Sequence, residues 1–389
     1  MQTLDELYSL FPPNGKDTWT AQLEKDLKGT PLTSLIWEIE PGLPLAPLYT
    51  TEDRPTLRDP LLPNRKRGPW QTAELIEVDD PSAANVLALE AVRGGADALG
   101  LPLRHKPDAH SLQQLLEGLN PIHISLNFGE YYEDKDPHGF LRLFTAHLQQ
   151  QGLEPHLVQG SIDFDPLLDW VEPPIDALAE AIRFCSTHLP LFKCLQINGR
   201  YYFASPGNTS TELAMILAKG AEYLARLQDA GIPATTAQRF IQCSVAIGSS
   251  YFLEIAKLRA LRLLWAQILQ GFGVQTPEPL ELVVHFAPET QDENHYTNMI
   301  RATTQALSAV IGGADRLYIL PADAYTGAPP SDFHRRIARN VQHLLRLESF
   351  LDKTTDPAAG SYYVETLTDQ LALKAWDKFV ELDSGRVFG

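Results

Sequence analysis

Residues 298–323 read NMIRATTQALSAVIGGADRLYILPAD, and residues 331–365 read SDFHRRIARNVQHLLRLESFLDKTTDPAAGSYYVE. In the first segment apolar side chains recur at three- and four-residue steps, which predicts one buried face of a helix. Gly312 and Gly313 then predict a left-handed helix end. The run RLYIL at 316–320 suits a buried strand, and the second segment begins another helix. The order helix, strand, helix indicates an α/β fold.

The same alternation of strand-like and helix-like segments extends back along the chain to Trp70. Parallel strands joined by helices close most simply as a barrel, so we predict a (β/α)8 TIM barrel, and a doubly wound open sheet is the alternative. The predicted strands are 70–78, 96–103, 122–128, 157–164, 195–202, 240–247, 280–286 and 317–320. The predicted helices are 81–92, 139–150, 174–188, 210–229, 251–269, 296–311 and a closing helix at 367–382.

The domain organisation follows from this alternation. We divide the chain into an N-terminal arm at 1–60, the barrel at 61–365, and a C-terminal helix with the start of a linker at 366–389. Four prolines lie between Pro41 and Pro55. Such a segment is extended and forms no core of its own, so the simplest interpretation is a wrap over the surface of the barrel.

Composition narrows the class of partner. The 389 residues are 44% hydrophobic and 21% charged, which is typical of a globular protein. The net charge of −17 argues against a nucleic acid or an anionic membrane as partner. An anionic ligand would therefore need a local basic patch. No apolar run reaches the roughly 18 residues of a membrane span, and residues 1–14 lack a signal-peptide pattern.

Cysteine usage indicates the compartment. Cys185, Cys194 and Cys243 are the three cysteines, and they show neither CxxC spacing nor a metal-ligand pattern with histidine. Scattered thiols of this kind are typical of buried structural positions in a reducing environment. We therefore predict a cytoplasmic protein without a metal site.

Small polar side chains recur two residues apart in several predicted strands. Residues two apart on a strand point to the same face of the sheet. TIM-barrel interiors normally fill with Val, Ile and Leu, so the pattern predicts either a polar bore or polar faces turned to helices or solvent. The pairs are Ser125 and Asn127, Gln159 and Ser161, and Gln242 and Ser244.

Several motifs resemble those of the cobalamin-dependent acyl-CoA mutases, above all methylmalonyl-CoA mutase. The resemblance implies a TIM barrel whose axis admits the pantetheine chain of CoA, and a radical 1,2-rearrangement that depends on adenosylcobalamin. It also implies that the N-terminal arm crosses a partner subunit. The motifs are PLYTTED at 47–53, EIAKLRALRLLWA at 254–266, N-x-x-R-x-T at 298–303, RIARN at 336–340 and DPAAGSYYVE at 356–365.

The same resemblance implies that the catalytic side chains have been replaced. Catalytic members have a Tyr that follows the Trp of the first strand and a His at the end of the fifth; Leu75 and Tyr202 stand in those places here. They also have an Arg soon after the fourth strand, but no Arg occurs here between that strand and Arg183. Acidic residues that would repel a substrate carboxylate occupy the region instead, namely Asp163, Asp165 and Asp169. We predict no catalytic residue in this chain.

Three residues are predicted CoA-binding positions. By resemblance, His285 corresponds to a His at the end of the seventh strand that contacts the CoA ester, and Arg239 lies one place from a phosphate-contacting Arg. Gln242 is the third. The alternatives are a strand-end His without a ligand and an Arg at a solvated corner.

The resemblance finally predicts a function. The cobalamin motif D-x-H-x-x-G does not occur in these 389 residues, so we expect no cobalamin-binding domain here and adenosylcobalamin only in the assembled enzyme. We predict a small, structural subunit paired with a catalytic mutase subunit that interconverts methylmalonyl-CoA and succinyl-CoA. A homodimer, a catalytic barrel that uses a cobalamin domain on another chain, and an acyl-CoA-binding barrel are the alternatives.

Overall fold

The computed structural model describes residues 15–53, 69–133, 135–203 and 207–385. The predicted boundary between arm and barrel at 60/61 and the end of the predicted linker at 386–389 lie outside these residues. No helix within the described ranges combines the length and the apolar character needed to cross a bilayer.

The fold is the predicted (β/α)8 TIM barrel, preceded by a hairpin. All neighbouring barrel strands are parallel, and the last strand pairs with the first. The hairpin strands are β1 (Trp37–Glu40) and β2 (Leu43–Leu45). The barrel strands are β3 (Gln71–Leu75), β4 (Ala98–Leu103), β5 (Ser125–Glu130), β6 (Gly160–Asp163), β7 (Phe192–Lys193), β8 (Leu195–Asn198), β9 (Ile241–Ile247), β10 (Glu281–Phe286) and β11 (Arg316–Tyr318).

The fifth barrel strand is divided at Cys194 into β7 and β8. β7 pairs with β6 on one side, and β8 pairs with β9 on the other. Because the two halves are consecutive in the chain, they join the two ends of the sheet and close the barrel. The open-sheet alternative is therefore wrong.

Helices surround the barrel in the predicted alternation. Asp80 caps the first barrel helix by accepting hydrogen bonds from the backbone N–H groups of Ser82 and Ala83. Gly313 ends another at φ 99°, as the Gly-Gly pair predicted. The helices are α1 (Lys16–Asp26), α2 (Pro81–Arg93), α3 (Ala109–Leu116), α4 (Pro137–Gln150), α5 (Pro166–Asp169), α6 (Ile175–His188), α7 (Thr209–Asp229), α8 (Ala234–Ala237), α9 (Tyr251–Gly271), α10 (His295–Gly312), α11 (Asp332–Leu347) and α12 (Tyr362–Ser384).

Several predicted strands have different boundaries in the structure, and two of these segments include residues of 3-10 turns. The segment 157–164 enters through a 3-10 turn at Pro155–Leu157, because Pro155 has no N–H to contribute to a ladder. The segment 195–202 leaves the sheet at Gly199, where a further 3-10 turn, Gly199–Tyr202, begins. Helix α3 lies where no helix was predicted.

The family motifs build the outer layer rather than the bore. Arg335 and Arg339 of α11 both pair with Glu74 on the outward face of β3. Arg259 of α9 pairs with Glu365 across 2.7 Å and also with Asp356. The motifs at 254–266 and 356–365 therefore contact one another and fix α12 against the barrel.

The described part of the arm lies on its own barrel along one face. Glu40 is buried, accepts a hydrogen bond from the backbone N–H of Ser210 over 3.1 Å, and pairs with Lys374 of α12 over 2.9 Å. Leu35, Ile36 and Trp37, which precede Glu40 in the chain, are exposed, the last of them by 54%. The surface wrap is thus present, and a short apolar run of the arm stays exposed.

Candidate functional site

Arg316 crosses the barrel axis at the N-terminal ends of the strands. Its side chain is buried, and its guanidinium donates to the Gln71 side chain over 2.8 Å and to Glu281 over 2.9 Å. Longer contacts reach Gln242 at 3.3 Å and Ser125 at 3.4 Å. These four partners lie on β3, β10, β9 and β5, so the guanidinium sits at the axis of the barrel.

A hydrogen-bonded polar layer lies above Arg316. Ser161 donates to the Asn127 side-chain oxygen over 2.8 Å. On the opposite side, Gln196 and Ser244 each donate to the Asn198 side-chain oxygen, over 3.0 and 2.9 Å. The bore is thus polar, as one of the two interpretations predicted. Gln159 is an exception, because it precedes β6 and is exposed.

Arg200 crosses the barrel a second time, at the C-terminal mouth. It follows β8, yet its guanidinium donates to the Tyr131 hydroxyl after β5 over 3.2 Å and approaches His285 Nδ1 on β10 at 3.5 Å. Tyr131 in turn donates to Asp163 over 3.0 Å. The His285 ring stacks on Tyr318 at 4.6 Å between centroids. The C-terminal end of a TIM barrel is where its enzymes carry their active sites.

Between these two levels lies a cavity of about 50 Å³. Ligand pockets for drug-sized molecules span roughly 300–1,000 Å³. A cavity must have a volume of about 10–15 Å³ to hold one water molecule, so this cavity holds about four groups of that size. Below the cavity Arg316 contacts Gln242 and Ser125 across the axis, so an extended chain that followed the axis would have to displace its side chain. The cavity is lined by side chains of both levels, among them Arg200, Arg316, His285, Tyr318, Asn127 and Ser161.

The electrostatics of the mouth keep His285 uncharged. Burial, followed by the charges of Arg200 and Arg316, lowers the pKa of His285 well below its ordinary value. The neutral ring can then accept the Arg200 hydrogen bond at Nδ1, which places its proton on Nε2. Burial and the nearby Asp163 raise the pKa of Tyr131, so its hydroxyl stays protonated.

Leu75 and Tyr202, the two positions where the resemblance implies replacement of catalytic side chains, lie in different surroundings. Leu75 ends β3, is 48% exposed and lines the mouth cavity. Tyr202 lies at the end of the 3-10 turn outside the cavity, with the Lys219 ammonium 5.0 Å from its ring centre. The residue of that turn that faces the mouth is Arg200.

The structure does not bring the three predicted CoA-binding residues together. His285 lies at the mouth, while Gln242 pairs with Glu281 in register, four strand residues or about 13 Å deeper. Gln242 is buried and donates to Gln196 over 2.5 Å. Arg239 is exposed before β9, outside the bore, with its guanidinium 5.9 Å from the ring centre of Phe240.

The acidic residues after the fourth strand also separate. Asp163 alone lines the mouth. Asp165 is fully buried outside the bore, where it accepts hydrogen bonds from Lys219 over 2.9 Å and from Tyr223 over 2.5 Å. Asp169 pairs with Lys135 over 2.7 Å. The expected acidic barrier is therefore a single carboxylate, because lysines neutralise the other two.

The described residues do not fit a cobalt ligand at the mouth. His285 is the histidine of the cavity, but its Nδ1 accepts from Arg200 and its ring face is covered by Tyr318. No group of three His, Cys, Asp or Glu side chains within the described ranges could hold a metal ion.

Arg200 and Arg316 reach across the bore at its two ends, and neither was predicted from the sequence as a site residue. Arg316 carried a usable signal, since it alternates with Leu317 in a short buried strand and so shares a face with Tyr318. Arg200 carried none, because the segment around it was predicted as strand and the turn at Gly199 reverses which side chains face inward.

The chain is similar to known proteins over most of its length. The family model described as Methylmalonyl-CoA mutase matches residues 111–385. The chain is 33% identical over 413 aligned residues to the "Methylmalonyl-CoA mutase small subunit" of Porphyromonas gingivalis, covering 99% of this chain and 65% of that protein. It is 31% identical to the protein of the same name from Streptomyces virginiae, covering 96% and 64%.

A large subunit is also similar over a shorter range. The "Methylmalonyl-CoA mutase large subunit" of Porphyromonas gingivalis is 33% identical over 245 aligned residues, which cover 60% of this chain and 34% of that protein. The chain thus spans just under two thirds of the length of the two small subunits and about one third of this large subunit.

Proposed function

Because the chain belongs to the methylmalonyl-CoA mutase family, we propose that it is the barrel of a small subunit that supports a catalytic partner without an active site of its own. The partner subunit carries the interconversion of methylmalonyl-CoA and succinyl-CoA. The contribution of this chain is an interface that stabilises the partner.

The filled barrel axis carries this proposal. A CoA ester that entered along the axis would have to displace Arg316 from Glu281 and Arg200 from Tyr131. Displacing Arg316 alone would leave the Glu281 carboxylate without its cation, a cost of about 2 kcal/mol for a carboxylate that is 26% exposed. A cavity of about 50 Å³ offers no compensating contact area.

The similarity to small subunits supports the same role. Two relatives with that name match 96% or more of this chain at 33% and 31% identity, and the large subunit of Streptomyces virginiae matches 96% at 26% identity. Leu75 stands where catalytic members of the family have a Tyr, and no Arg follows the fourth strand closely. Both differences agree with a chain that does not itself catalyse the reaction.

Adenosylcobalamin belongs to the partner in this account. When bound, the cofactor supplies a carbon-centred radical by homolysis of its cobalt–carbon bond. The mouth of this barrel offers no free histidine to the cobalt, since His285 is engaged by Arg200 and Tyr318. No step of the rearrangement is therefore assigned to this chain.

The arm provides the proposed contact with the partner. Its inner face is fixed to the barrel through Glu40, Ser210 and Lys374. Its outer face presents Leu35, Ile36 and Trp37 as a contiguous exposed run. Consecutive exposed apolar side chains are unusual on a free surface and are typical of a subunit interface.

The test is co-expression with a large subunit from the same genome, purification through a tag on this chain, and an isomerase assay. We expect a heterodimer that turns over methylmalonyl-CoA. A second preparation carries a partner whose own substrate-contacting histidine is replaced. We expect that complex to elute unchanged and to lose all activity, because this chain has no second site.

Two outcomes contradict the proposal. Residual turnover by the complex with the disabled partner would assign an active site to this chain. Turnover by this chain alone with an isolated cobalamin domain would instead establish the catalytic barrel that was the alternative.

A further inference from the structure

We propose that the cavity between Arg200 and Arg316, at the C-terminal mouth of the barrel, is a binding site for a small monocarboxylate such as formate or acetate. The site does not depend on the subunit role proposed above, because it uses only side chains of this chain. It takes a ligand of a size and charge that a CoA ester does not share.

The charges around the cavity differ from those of the chain as a whole. The chain as a whole carries a net charge of −17. Among the residues that line the cavity, Arg200 and Arg316 are cations and Asp163 is the single carboxylate. Arg316 is paired with Glu281 behind the lining, so Arg200 is the cation of the cavity that has no carboxylate partner among the described residues. The neutral state of His285 follows from burial and from these two cations. An anion is therefore the ligand that the cavity favours.

Arg200 and Tyr318 both have hydrogen-bond donors that face the cavity and are not fully used. Arg200 contacts the Tyr131 hydroxyl and His285 Nδ1, and it forms no ion pair with any described carboxylate. A guanidinium has five N–H donors in a fork that matches a carboxylate. The Tyr318 hydroxyl lines the same cavity without a hydrogen bond to any described residue. Burial raises the pKa of Tyr318, so this hydroxyl remains a donor.

The volume of the cavity matches a small ligand. The cavity volume of about 50 Å³ accommodates about four water-sized groups, since each needs roughly 10–15 Å³. Formate has three non-hydrogen atoms and acetate has four. A dicarboxylate such as succinate has eight and exceeds the space. The geometry therefore selects a short monocarboxylate with its oxygens on Arg200 and Tyr318.

The experiment is calorimetric titration of the 389-residue chain with sodium acetate at constant ionic strength. Acetamide, which has nearly the same shape and no charge, is the matched control ligand, and succinate tests the size limit. We expect saturable binding of acetate, no binding of acetamide and no binding of succinate. The unfolding midpoint should rise with acetate concentration, because a ligand that binds only the folded chain stabilises it.

Variants locate the site. Arg200→Met removes the unpaired guanidinium and should weaken acetate binding roughly ten-fold or more, the loss of one charge-assisted hydrogen bond. Arg239→Met is the matched control, because Arg239 is an exposed arginine outside the bore. It should bind acetate as the unaltered chain does. Tyr318→Phe should weaken binding less than Arg200→Met and provides a second variant if Arg200→Met does not fold.

Different results contradict the proposed ligand class and the proposed site. Equal responses to acetate and acetamide, or equal binding of acetate and succinate, overturn the proposed ligand class. Equal weakening by Arg200→Met and Arg239→Met overturns the site. Because the measurement needs no partner subunit, its failure leaves the heterodimer proposal untouched, and failure of the heterodimer proposal leaves this one untouched.

Discussion

Arg316 on β11 donates a hydrogen bond of 2.9 Å to Glu281 on the neighbouring strand β10, and the same guanidinium reaches Gln242 and Ser125 on other strands of the barrel. This single side chain therefore occupies the axis at the N-terminal end. Arg200 does the same at the C-terminal mouth. The two arginines therefore reach across the bore at its two ends.

Loss of Arg316 should destabilise the fold. Arg316→Ala leaves Glu281 and several polar partners without their donor, and we expect the free energy of unfolding to fall by about 2 kcal/mol. The cost stays below that of a fully buried pair because the Glu281 side chain is 26% exposed. Denaturant unfolding measures the change. Arg104→Ala breaks the exposed pair with Glu77 and should cost at most about 1 kcal/mol. Equal losses for the two variants would contradict the role of Arg316 at the axis.

The closed bore should resist any added volume. A Cβ on Gly100 would lie 2.8 Å from Leu75 and 2.9 Å from the Tyr318 ring. Gly100→Ala should therefore lower the free energy of unfolding by about 1–3 kcal/mol through overpacking. The control is Gly271→Ala at the end of α9, where an added Cβ meets no atom within 4 Å. That variant should be neutral or slightly stabilising. If both variants unfolded at the same denaturant concentration, the bore would be looser than described.

A buried carboxyl should make stability depend on pH. Burial raises the pKa of Glu212 to about 7; the Lys257 ammonium opposes this shift and the Glu254 carboxylate adds to it. The folded chain thus binds this proton more tightly than the unfolded chain, whose ordinary value is 4.5. The free energy of unfolding should fall as pH rises from about 4.5 to about 7. Glu212→Gln should flatten that part of the profile.

The control for this pH dependence lies on the same helix. Glu222 pairs with Arg226 at the partly exposed surface of α7, so Glu222→Gln should leave the slope between pH 4.5 and 7 as in the unaltered chain. Denaturant unfolding at several pH values measures both variants. An unchanged slope for Glu212→Gln would show that another group carries the dependence.

The outer face of the arm should determine partner affinity. Trp37 is 54% exposed, and Trp37→Ser should weaken association with the large subunit ten-fold or more, since aromatic anchors dominate interface energies. Val86 on α2 is 65% exposed, and Val86→Ser serves as a matched surface control. Sedimentation of mixed subunits measures both. A partner that binds the Trp37→Ser and unaltered chains equally well would contact a different surface.

The sequence predicted the scaffold well because the scaffold follows from local rules. The helix end at Gly313 could be predicted from residue type alone. The repeated alternation from Trp70 specified eight parallel strands. The family motifs around Arg259 and Glu365 contact one another in the outer layer of helices. They therefore contribute to the scaffold and do not line the bore.

The site was less predictable because it depends on which side chains cross the axis. The polar character of Asn127 and Ser244 was visible, but not that Asn127 accepts a hydrogen bond from Ser161 and Ser244 donates one to Asn198 inside the bore. Arg200 faces the mouth only because the chain turns at Gly199, where a Cβ would lie 2.7 Å from the Ser244 carbonyl oxygen. Such a close approach is a property of the assembled barrel and cannot be read from the segment alone.

Titration of the isolated chain with succinyl-CoA tests the central account most directly. A barrel closed at two levels by Arg316 and Arg200 should show no binding up to millimolar concentrations of the ester. Saturable binding at micromolar concentration, with competition by free CoA, would show that the axis opens and would contradict the account.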